Sequence, residues 1–415
     1  MDSETPGFGH MGIREFIVMM AMAQALQALA IDAMLPALGI ISQELGVTSD
    51  NQRQLVVGIF LIFAGLGALV PGTLADIYGR RPVMLVCLAG YVVFTLAGAF
   101  ATSFTMLLLS RAILGLCSAG LAVLPAAIIR DRMEGDAMAR MQSTVSLVFM
   151  VVPMLAPSMG QAVLLLANWR WIFGAMAILG LAVYGWVYLR LPETMDSAYR
   201  QRISPTDIAR TMGAVTTNRS ALGYVIGMGL TQGAMFGYIN STQQLMGEHF
   251  GAGALFPLIF GGMALCMAAT NFINSRIVER FGARRVSHSA VLAYICVSAL
   301  QLWLASRDGE TLWQFVPVMT LNMCLMGFIG ANFGSISLQP FAQTAGAAAS
   351  VQAFIRMVMA SVLGALIGNA YDGTARPLAV ALLGAGVGSL ILVLYSEKGR
   401  LFRRLIPPGG LRIMP

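Results

Sequence analysis

The chain has 415 residues, of which 57% are hydrophobic, 11% are charged and 45 are glycine. Soluble domains contain about 45 to 50% apolar residues, so a water-soluble fold could not bury this sequence. The formal net charge of +7 would suit a nucleic-acid partner, but the positions of the basic residues exclude that interpretation.

Apolar stretches of about 20 residues recur along the chain, which is the helix length needed to cross a bilayer core about 30 Å thick. Continuous runs exclude a membrane β-barrel, whose strands alternate in polarity. We predict an all-α membrane protein with twelve transmembrane helices in two pseudo-symmetric six-helix bundles. The predicted spans are residues 16–38, 54–74, 82–102, 104–129, 141–167, 171–191, 221–245, 253–275, 286–305, 312–336, 345–370 and 376–396.

The long polar segment between the sixth and seventh spans divides the chain almost equally. We predict an N-terminal six-helix bundle at residues 1–191, a cytoplasmic linker at residues 192–220, a C-terminal bundle at residues 221–396 and a cytoplasmic tail at residues 397–415.

The basic residues are distributed unevenly between the two sides of the membrane. If the N-terminus is cytoplasmic, 20 of the 26 Lys and Arg residues fall in cytoplasmic segments and 4 fall outside: Arg53, Arg170, Arg307 and Arg376. This excess satisfies the positive-inside rule for an even number of spans. We therefore predict that both termini are cytoplasmic and that the basic charge reflects topology.

The first span carries a polar stripe, because Gln24, Ala28 and Asp32 lie four residues apart on one helix face. Asp32 is the one acidic residue well inside a predicted span, where an ionisable group is costly unless it is paired or faces water. Burial disfavours the charged carboxylate, which suits a group that binds and releases protons. We predict that Asp32 carries protons and Gln24 lines a substrate cavity; the alternative is a helix-packing hydrogen bond.

A short polar loop follows the second span and contains Gly72, Asp76, Gly79, Arg80 and Arg81. A similar loop follows the eighth span 203 residues later, with Glu279 in the place of Asp76. Two such loops at matching places are expected of a duplicated six-helix unit. We predict that these residues form a conformational latch, in which Gly79 allows the sharp turn.

In the fourth span, Arg111 lies at about the depth of Asp32, roughly 10 Å below the outer face at 1.5 Å per residue. An arginine beside Asp32 would favour the carboxylate and expel the proton. We predict that the two residues couple proton binding to conformation. The alternative is that Arg111 reaches the interface or binds backbone carbonyls.

The second half carries polar residues inside spans seven and eleven. We predict a cavity wall on one face of span seven, with hydrogen bonding between helices as the alternative; the wall residues are Gln232, Phe236, Asn240 and Gln243. Arg356 lies about 16 Å inside span eleven, too deep to reach either interface. It either faces the cavity and favours anionic or neutral polar substrates, or forms a static bond to a neighbouring helix.

The loop Gly72-x-Leu-Ala-Asp76-x-x-Gly79-Arg80-Arg81-Pro82 resembles the signature loop of the major facilitator superfamily. Further segments resemble the drug/proton antiporters of the bicyclomycin-resistance and chloramphenicol-efflux group: Arg111-x-x-x-Gly115, Arg130-Asp131, Ala156-Pro157-x-x-Gly160 and Leu191-Pro192-Glu193-Thr194. The resemblance implies the major facilitator fold in a bacterial inner membrane. It also implies latch roles for Arg130 and Asp131 and a span-five motif formed by Pro157 and Gly160.

No nucleotide-binding loop, zinc-protease motif or paired nucleophile and base is visible, so we predict no enzyme, no cofactor and no use of ATP. All five cysteines fall in predicted spans, which leaves no metal site. We predict a monomeric, proton-coupled secondary transporter that exports small molecules or drugs by H+ antiport with alternating access. Its partners are a small-molecule substrate, protons and the lipid bilayer. The alternatives are a proton symporter that imports a metabolite and, more remotely, a non-transporting receptor or scaffold.

Overall fold

The structure is a computed structural model that describes residues 11–47, 52–68, 70–132, 135–195, 213–252, 255–307 and 309–402. These residues are mainly helical and contain no strand, which confirms the predicted all-α fold. The chain divides into two compact units, residues 1–205 and 206–415. Most of the predicted linker and tail lie outside the described residues.

In the part of the N-terminal unit that the structure describes, there are eight α-helices. They are α1 (Ile13–Asp32), α2 (Leu38–Glu44), α3 (Leu55–Gly67), α4 (Val70–Tyr78), α5 (Arg80–Ala99), α6 (Phe104–Arg132), α7 (Gly135–Leu166) and α8 (Arg170–Arg190).

Among its described residues, the C-terminal unit contains six helices of more than 20 residues. They are α9 (Arg219–Gln244), α10 (Phe256–Phe281), α11 (Ala283–Ala305), α12 (Leu312–Leu338), α13 (Ala345–Asn369) and α14 (Arg376–Ser396). One end of each unit is called its loop end. It is the end at which α5 begins in the N-terminal unit and α11 begins in the C-terminal unit.

Within the described residues, nine helices are long and apolar enough to cross a membrane, or ten if the bent pair α3 and α4 forms one span. The axes of that pair differ by 41°. Helices α7 and α9, of 32 and 26 residues, are not among these ten. The count of twelve therefore stays a prediction.

The first span is longer than the predicted 16–38 and is broken. It runs over Ile13–Glu44, with α1 ending at Asp32 and a 3-10 turn at Leu35–Ala37 before α2. Pro36 explains the break, because proline has no N–H to donate to the carbonyl four residues earlier, which is that of Asp32. The predicted span 16–38 includes this proline, but its bounds followed apolar length alone.

Helix α8 is fastened to both ends of this broken span by two similar clamps. At the loop end, Glu15 accepts hydrogen bonds from Trp186 Nε1 at 3.0 Å and from Arg190 Nε at 2.8 Å. At the opposite end, Glu44 accepts from Trp169 Nε1 at 2.5 Å and pairs with Arg170. Each clamp consists of a glutamate, a tryptophan and an arginine, and together they fix the ends of α1 and α2 against α8.

Candidate functional site

Asp32 ends α1 with only 6% of its surface exposed, and it is the one buried acid among the described residues. Within that part of the chain, no hydrogen bond or ion pair to its side chain is found. On the same face, Ala28 is buried and Gln24 is half-buried. The predicted stripe therefore runs from a partly accessible amide to an enclosed carboxyl group at the helix break.

The glycine of the span-five motif packs directly against this break. A Cβ atom at Gly160 would overlap the carbonyl oxygen of Ala33 and would approach Pro36 Cγ to 3.1 Å. Pro157 lies one turn earlier in α7 and is buried. Only glycine lets the α7 backbone approach so closely, so the motif determines how α7 covers the segment that follows Asp32.

Arg111 is fully buried in α6. Its Nε donates to the Val56 carbonyl at 2.9 Å, and its guanidinium carbon lies 4.4 Å from the centre of the Phe60 ring. Gly115, one turn later, allows this arrangement, because a Cβ atom there would overlap the Phe60 carbonyl. The Arg111-x-x-x-Gly115 spacing thus brings α6 against α3.

The remaining nitrogens of Arg111, Nη1 and Nη2, have no hydrogen-bond partner among the described residues. Arg111 also forms no ion pair with Asp32 in this conformation. The backbone-carbonyl contact agrees with the alternative reading for Arg111, while the two unpaired nitrogens leave it able to accept an anion. Coupling between Asp32 and Arg111 stays a prediction.

At the loop end of the N-terminal unit, Arg80 is 2% exposed and lies between two carboxylates. Its Nη1 is 2.6 Å from Asp76 Oδ1 and its Nε is 2.8 Å from Asp131 Oδ2. The sequence-predicted latch residues Asp76, Arg80 and Asp131 are therefore joined. The side chains of Arg130 and Glu279, also assigned to the latch, lie outside the described residues.

Glu193 completes this network by capping α5. Its carboxylate accepts from the backbone N–H groups of Arg80 at 2.9 Å and Arg81 at 3.3 Å, where the helix dipole favours an anion. Gly79 adopts a φ of 102°, and a Cβ there would overlap Glu193 Oε2. Within the predicted latch, Asp76 therefore pairs with the Arg80 side chain, whereas Glu193 caps the helix.

Two other loop residues contact the helices nearby. Arg81 Nη2 donates to the Tyr188 carbonyl at 2.6 Å, so this arginine joins the start of α5 to the end of α8. Gly72 leaves space beside Val123, whose Cγ1 would lie 3.8 Å from an added Cβ. Gly72 is therefore not required by close packing here.

The loop end of the C-terminal unit has a network centred on Glu397, a residue outside the predicted latch. Arg284 Nε donates to Glu397 Oε1 at 2.7 Å, and Arg284 Nη1 donates to Gln339 Oε1 at 2.9 Å. Tyr224 Oη donates to the same Glu397 oxygen at 2.7 Å and lies 3.0 Å from His288 Nε2. His288 Nδ1 accepts from the Phe402 N–H at 3.0 Å.

Burial alone would raise the pKa of Glu397, but the hydrogen bonds from Tyr224 and Arg284 and the charge of Arg284 outweigh it and lower that pKa below its usual value. One signal in the sequence could have found this residue. Glu397 follows the last helix of its unit as Glu193 follows the last helix of the other, 204 residues earlier.

The predicted wall of span seven is partly a helix interface. Three glycines of α9, at positions 229, 233 and 237, face Met359, Leu363 and Ile367 of α13 at distances that leave no room for a Cβ. Gly364 of α13 lies against Phe236 and Asn240, and both residues are buried, whereas Gln232 is half-buried. The side chain of Gln243 lies outside the described residues.

Arg356 is half-buried on α13. Its side chain makes no hydrogen bond or ion pair to any residue that the structure describes. No static bond to a described neighbour is observed, and a half-buried cation inside a span without a protein partner is expected to meet water or a ligand.

Comparisons with known proteins support the same fold. Residues 20–368 match the sequence model of the Major Facilitator Superfamily. Relatives include the Bicyclomycin resistance protein homolog of Haemophilus influenzae, 26% identical over 93% of this chain and 96% of that protein. Multidrug resistance protein MdtL of Klebsiella pneumoniae is 28% identical over 89% of this chain and 92% of its own length. The uncharacterized MFS-type transporter YdgK of Bacillus subtilis is 27% identical over 90% of this chain and 93% of its own length.

Two solved structures share the fold at low identity. The D-xylose-proton symporter has a TM-score of 0.71 and 12% identity, covering 92% of this chain and 96% of its own. The human organic anion transporter MFSD10 has a TM-score of 0.65 and 18% identity, and the match covers 93% of this chain and 100% of that protein. The resemblance seen in the sequence motifs is confirmed, and so is the prediction of a transporter rather than an enzyme. The chain is a multi-pass membrane transporter and belongs to the major facilitator superfamily.

Proposed function

We propose that the protein is a proton-coupled exporter that moves small molecules by H+ antiport with alternating access. In this proposal it is a monomer in a bacterial inner membrane, both termini are cytoplasmic, and the loop ends of both units face the cytoplasm. The observation that carries the proposal is the enclosed carboxyl group of Asp32, at a helix break and without a partner among the described residues.

The surroundings of Asp32 favour a cycle of proton binding and release. An unpaired carboxylate in an apolar environment is far less stable than the neutral acid, so Asp32 holds a proton while the site is closed to water. Access to water from one side restores the stability of the carboxylate and releases the proton to that side. Because α1 ends at this residue, a rearrangement of the break changes its exposure directly.

Arg111 provides a second control on the same proton. Its unpaired Nη1 and Nη2 atoms would stabilise the Asp32 carboxylate in a conformation that brings the two side chains together. In the present conformation they form no ion pair, which favours the protonated acid. Alternation between the two arrangements would link proton occupancy to conformation.

A proton gradient has enough energy for this exchange. One proton that crosses about 100 mV releases about 2.3 kcal/mol, and one pH unit adds about 1.4 kcal/mol. The total of about 3.7 kcal/mol supports roughly a 500-fold substrate gradient at one-for-one electrogenic exchange.

The direction of transport rests on the relatives whose names state bicyclomycin and multidrug resistance. Their low identity does not identify the substrate. A proton symporter that imports a metabolite is the alternative, because the same fold and the same buried acid serve either direction.

The test uses inverted membrane vesicles with an acidic lumen, to which neutral, cationic and anionic compounds are added in turn. Antiport should raise the lumen pH when a substrate is added, whereas symport should lower it. Asp32→Asn should abolish proton-coupled transport while insertion and melting temperature stay unchanged, because the amide keeps the shape but binds no proton. Downhill exchange is expected to survive.

The matched control is Asp372→Asn, the same chemical change at an exposed acid that caps the turn before α14. This variant should transport like the wild type. If Asp32→Asn still accumulates substrate against a gradient, Asp32 is not the proton carrier.

A further inference from the structure

One face of α11 in the C-terminal unit is polar and buried over most of the helix. Ser287, His288, Tyr294, Ser298 and Gln301 are all fully buried, at spacings that place them on one side. Protein atoms cover this face: Ser298 Oγ donates to Asn322 Oδ1 of α12 at 2.9 Å, and Gly386 of α14 packs against the Tyr294 ring.

Three polar atoms in the outer part of this face have no hydrogen-bond partner among the described residues. They are Tyr294 Oη, Asn322 Nδ2 and Gln301 Oε1. The Tyr294 phenol interacts weakly with the Ser298 hydroxyl, but this contact falls outside hydrogen-bond geometry, and Ser298 donates to Asn322 instead. Buried polar atoms in folded proteins are almost always bonded to protein or to ordered water, so three together need an explanation.

Water would satisfy all three atoms. The Tyr294 hydroxyl and the Asn322 amide can donate to water, and Gln301 Oε1 can accept from it. Along α11, residues 294 and 301 are about 10 Å apart at 1.5 Å per residue, and Asn322 faces them from α12. That length suits a short line of bound water molecules, each contacting two or more polar groups.

The line of polar groups has a titratable residue at one end. Gln301 Nε2 donates to Glu310 Oε1 at 3.4 Å, a long hydrogen bond, and Glu310 is half-buried in the turn between α11 and α12. Burial raises the pKa of Glu310 to about 7. The nearby Arg307 lies over the Trp303 ring, and neither Arg307 nor Arg376 of α14 pairs with Glu310; Asp308 lies outside the described residues.

The other end is closed by apolar side chains. Ala290 and Val291 are buried between Tyr294 and His288, and both ring nitrogens of His288 are engaged at the loop end. A polar route across the whole helix would let protons leak and dissipate the gradient. The apolar turn at Val291 interrupts it.

We propose that the interface of α11 and α12 holds a line of bound water molecules, closed by Val291 and open at Glu310, which exchanges protons with the solution outside. The water site itself depends only on the C-terminal unit. Its opening to the outside rests on the orientation proposed above, in which the loop ends face the cytoplasm.

Hydroxyl-radical labelling of the intact wild-type protein tests the water site, because radicals form from water held beside a side chain. Three fully buried tyrosines form a matched set. Tyr91 donates to the Leu26 carbonyl at 3.0 Å and Tyr238 to Met263 Sδ at 3.2 Å, whereas Tyr294 has no partner among the described residues. Tyr294 should be labelled at least about tenfold faster than either control if water is bound beside it.

Two outcomes would overturn the water site: labelling of Tyr294 as slow as that of Tyr91, or labelling of Tyr238 as fast as that of Tyr294, which would indicate general opening of the unit. Neither requires transport, so the result is independent of the proposed function.

The role of Glu310 is tested by infrared titration from about pH 5 to 9, a range that brackets a carboxyl group half-protonated near neutrality. Glu310→Gln should remove one protonated-carboxyl band with a midpoint near 7, whereas Glu248→Gln, at an exposed glutamate of the same unit, should leave that band in place. If Glu310→Gln removes no band, Glu310 is not the proton-exchanging group. Impermeant buffers on either side of the vesicle then determine which side titrates the band.

Discussion

At the loop end of the N-terminal unit, Arg80 lies between Asp76 and Asp131, while Glu193 caps α5. At the loop end of the C-terminal unit, Arg284 meets one carboxylate, Glu397, which also accepts a hydrogen bond from the neutral Tyr224 hydroxyl. The two glycine turns are alike, with φ of 102° at Gly79 and 84° at Gly282. One backbone turn thus supports two side-chain networks of different charge, and we expect them to differ in strength.

The interior arginines differ in the same way. Arg111 is fixed by a backbone carbonyl and an aromatic ring, whereas Arg356 makes no polar bond to a described residue. In the N-terminal unit the buried cation is held in place, and in the C-terminal unit it is available. From this difference we expect the N-terminal unit to couple protons and the C-terminal unit to recognise substrate.

The largest effect should come from Arg80→Ala. It leaves two partly buried carboxylates without their counter-charge, and breaking such a network costs about 3 to 5 kcal/mol of unfolding free energy. Arg284→Ala should cost less, about 1 to 3 kcal/mol, because Glu397 keeps its bond from Tyr224. Thermal melting of the purified variants measures both, and equal losses would contradict the difference between the two networks.

Arg356→Ala tests the interior comparison. If Arg356 faces substrate, the affinity for anionic or neutral polar substrates should fall roughly tenfold or more, which is the effect of losing one charge-assisted hydrogen bond. Transport of lipophilic cations should increase. Arg356→Lys should restore the preference in part, because lysine keeps the charge but lacks the planar donor fork. Transport of one anion and one cation is measured in each variant.

The control is Arg376→Ala, at an exposed arginine at the start of α14. It should leave transport of both the anion and the cation unchanged. Parallel loss of anion and cation transport in an Arg356→Ala protein with a lowered melting temperature would mean that Arg356 braces α13 instead.

Asp76→Ala should have a smaller effect, on turnover rather than on affinity. Asp76 holds Arg80 at the loop end, so its loss should shift the balance between inward-open and outward-open states by a few-fold. We expect turnover to fall about 3- to 10-fold with substrate affinity unchanged. Asp131→Ala, which removes the other carboxylate at Arg80, should behave alike; a large loss of affinity at normal turnover would contradict a latch role.

The smallest effect concerns pH. Because the pKa of Glu397 is lowered in the folded protein, its ion pair adds stability that is present above the usual value of 4.5 and is lost as the pH falls through the folded value. Wild-type protein should therefore lose up to about 1 kcal/mol more stability than Glu397→Gln on acidification below pH 4.5, as for a partly exposed pair. Parallel melting curves for the two proteins would show that the pair contributes nothing.

The sequence was sufficient for features that depend on local pattern. Apolar length predicted the helical membrane fold, and the glycine and arginine spacings predicted the family, because both follow from residues within one or two turns of each other. Asp32 was likewise identifiable as a buried acid from its position in an apolar run.

Features that depend on distant residues were missed. Glu193 caps a helix that begins 113 residues earlier in the chain, and Glu397 contacts Arg284 across a similar separation, so no local pattern announces either bond. For Asn240, the spacing shows only which helix face it shares, and its role in a cavity wall stays a prediction. The glycines of α9 that bring α13 against Asn240 decide what that face contacts.

The clamps on α8 have a mechanical consequence for the first span. Glu15 and Glu44 attach the two ends of the span to α8. The distance between these ends is therefore constrained, and the 3-10 turn lies between them. A 3-10 turn rises about 2.0 Å per residue and an α-helix about 1.5 Å. Converting the three residues Leu35–Ala37 to α-helix would therefore shorten the span by about 1.5 Å. We expect movement at Asp32 to place this span under tension, which a change of tilt in α8 would relieve.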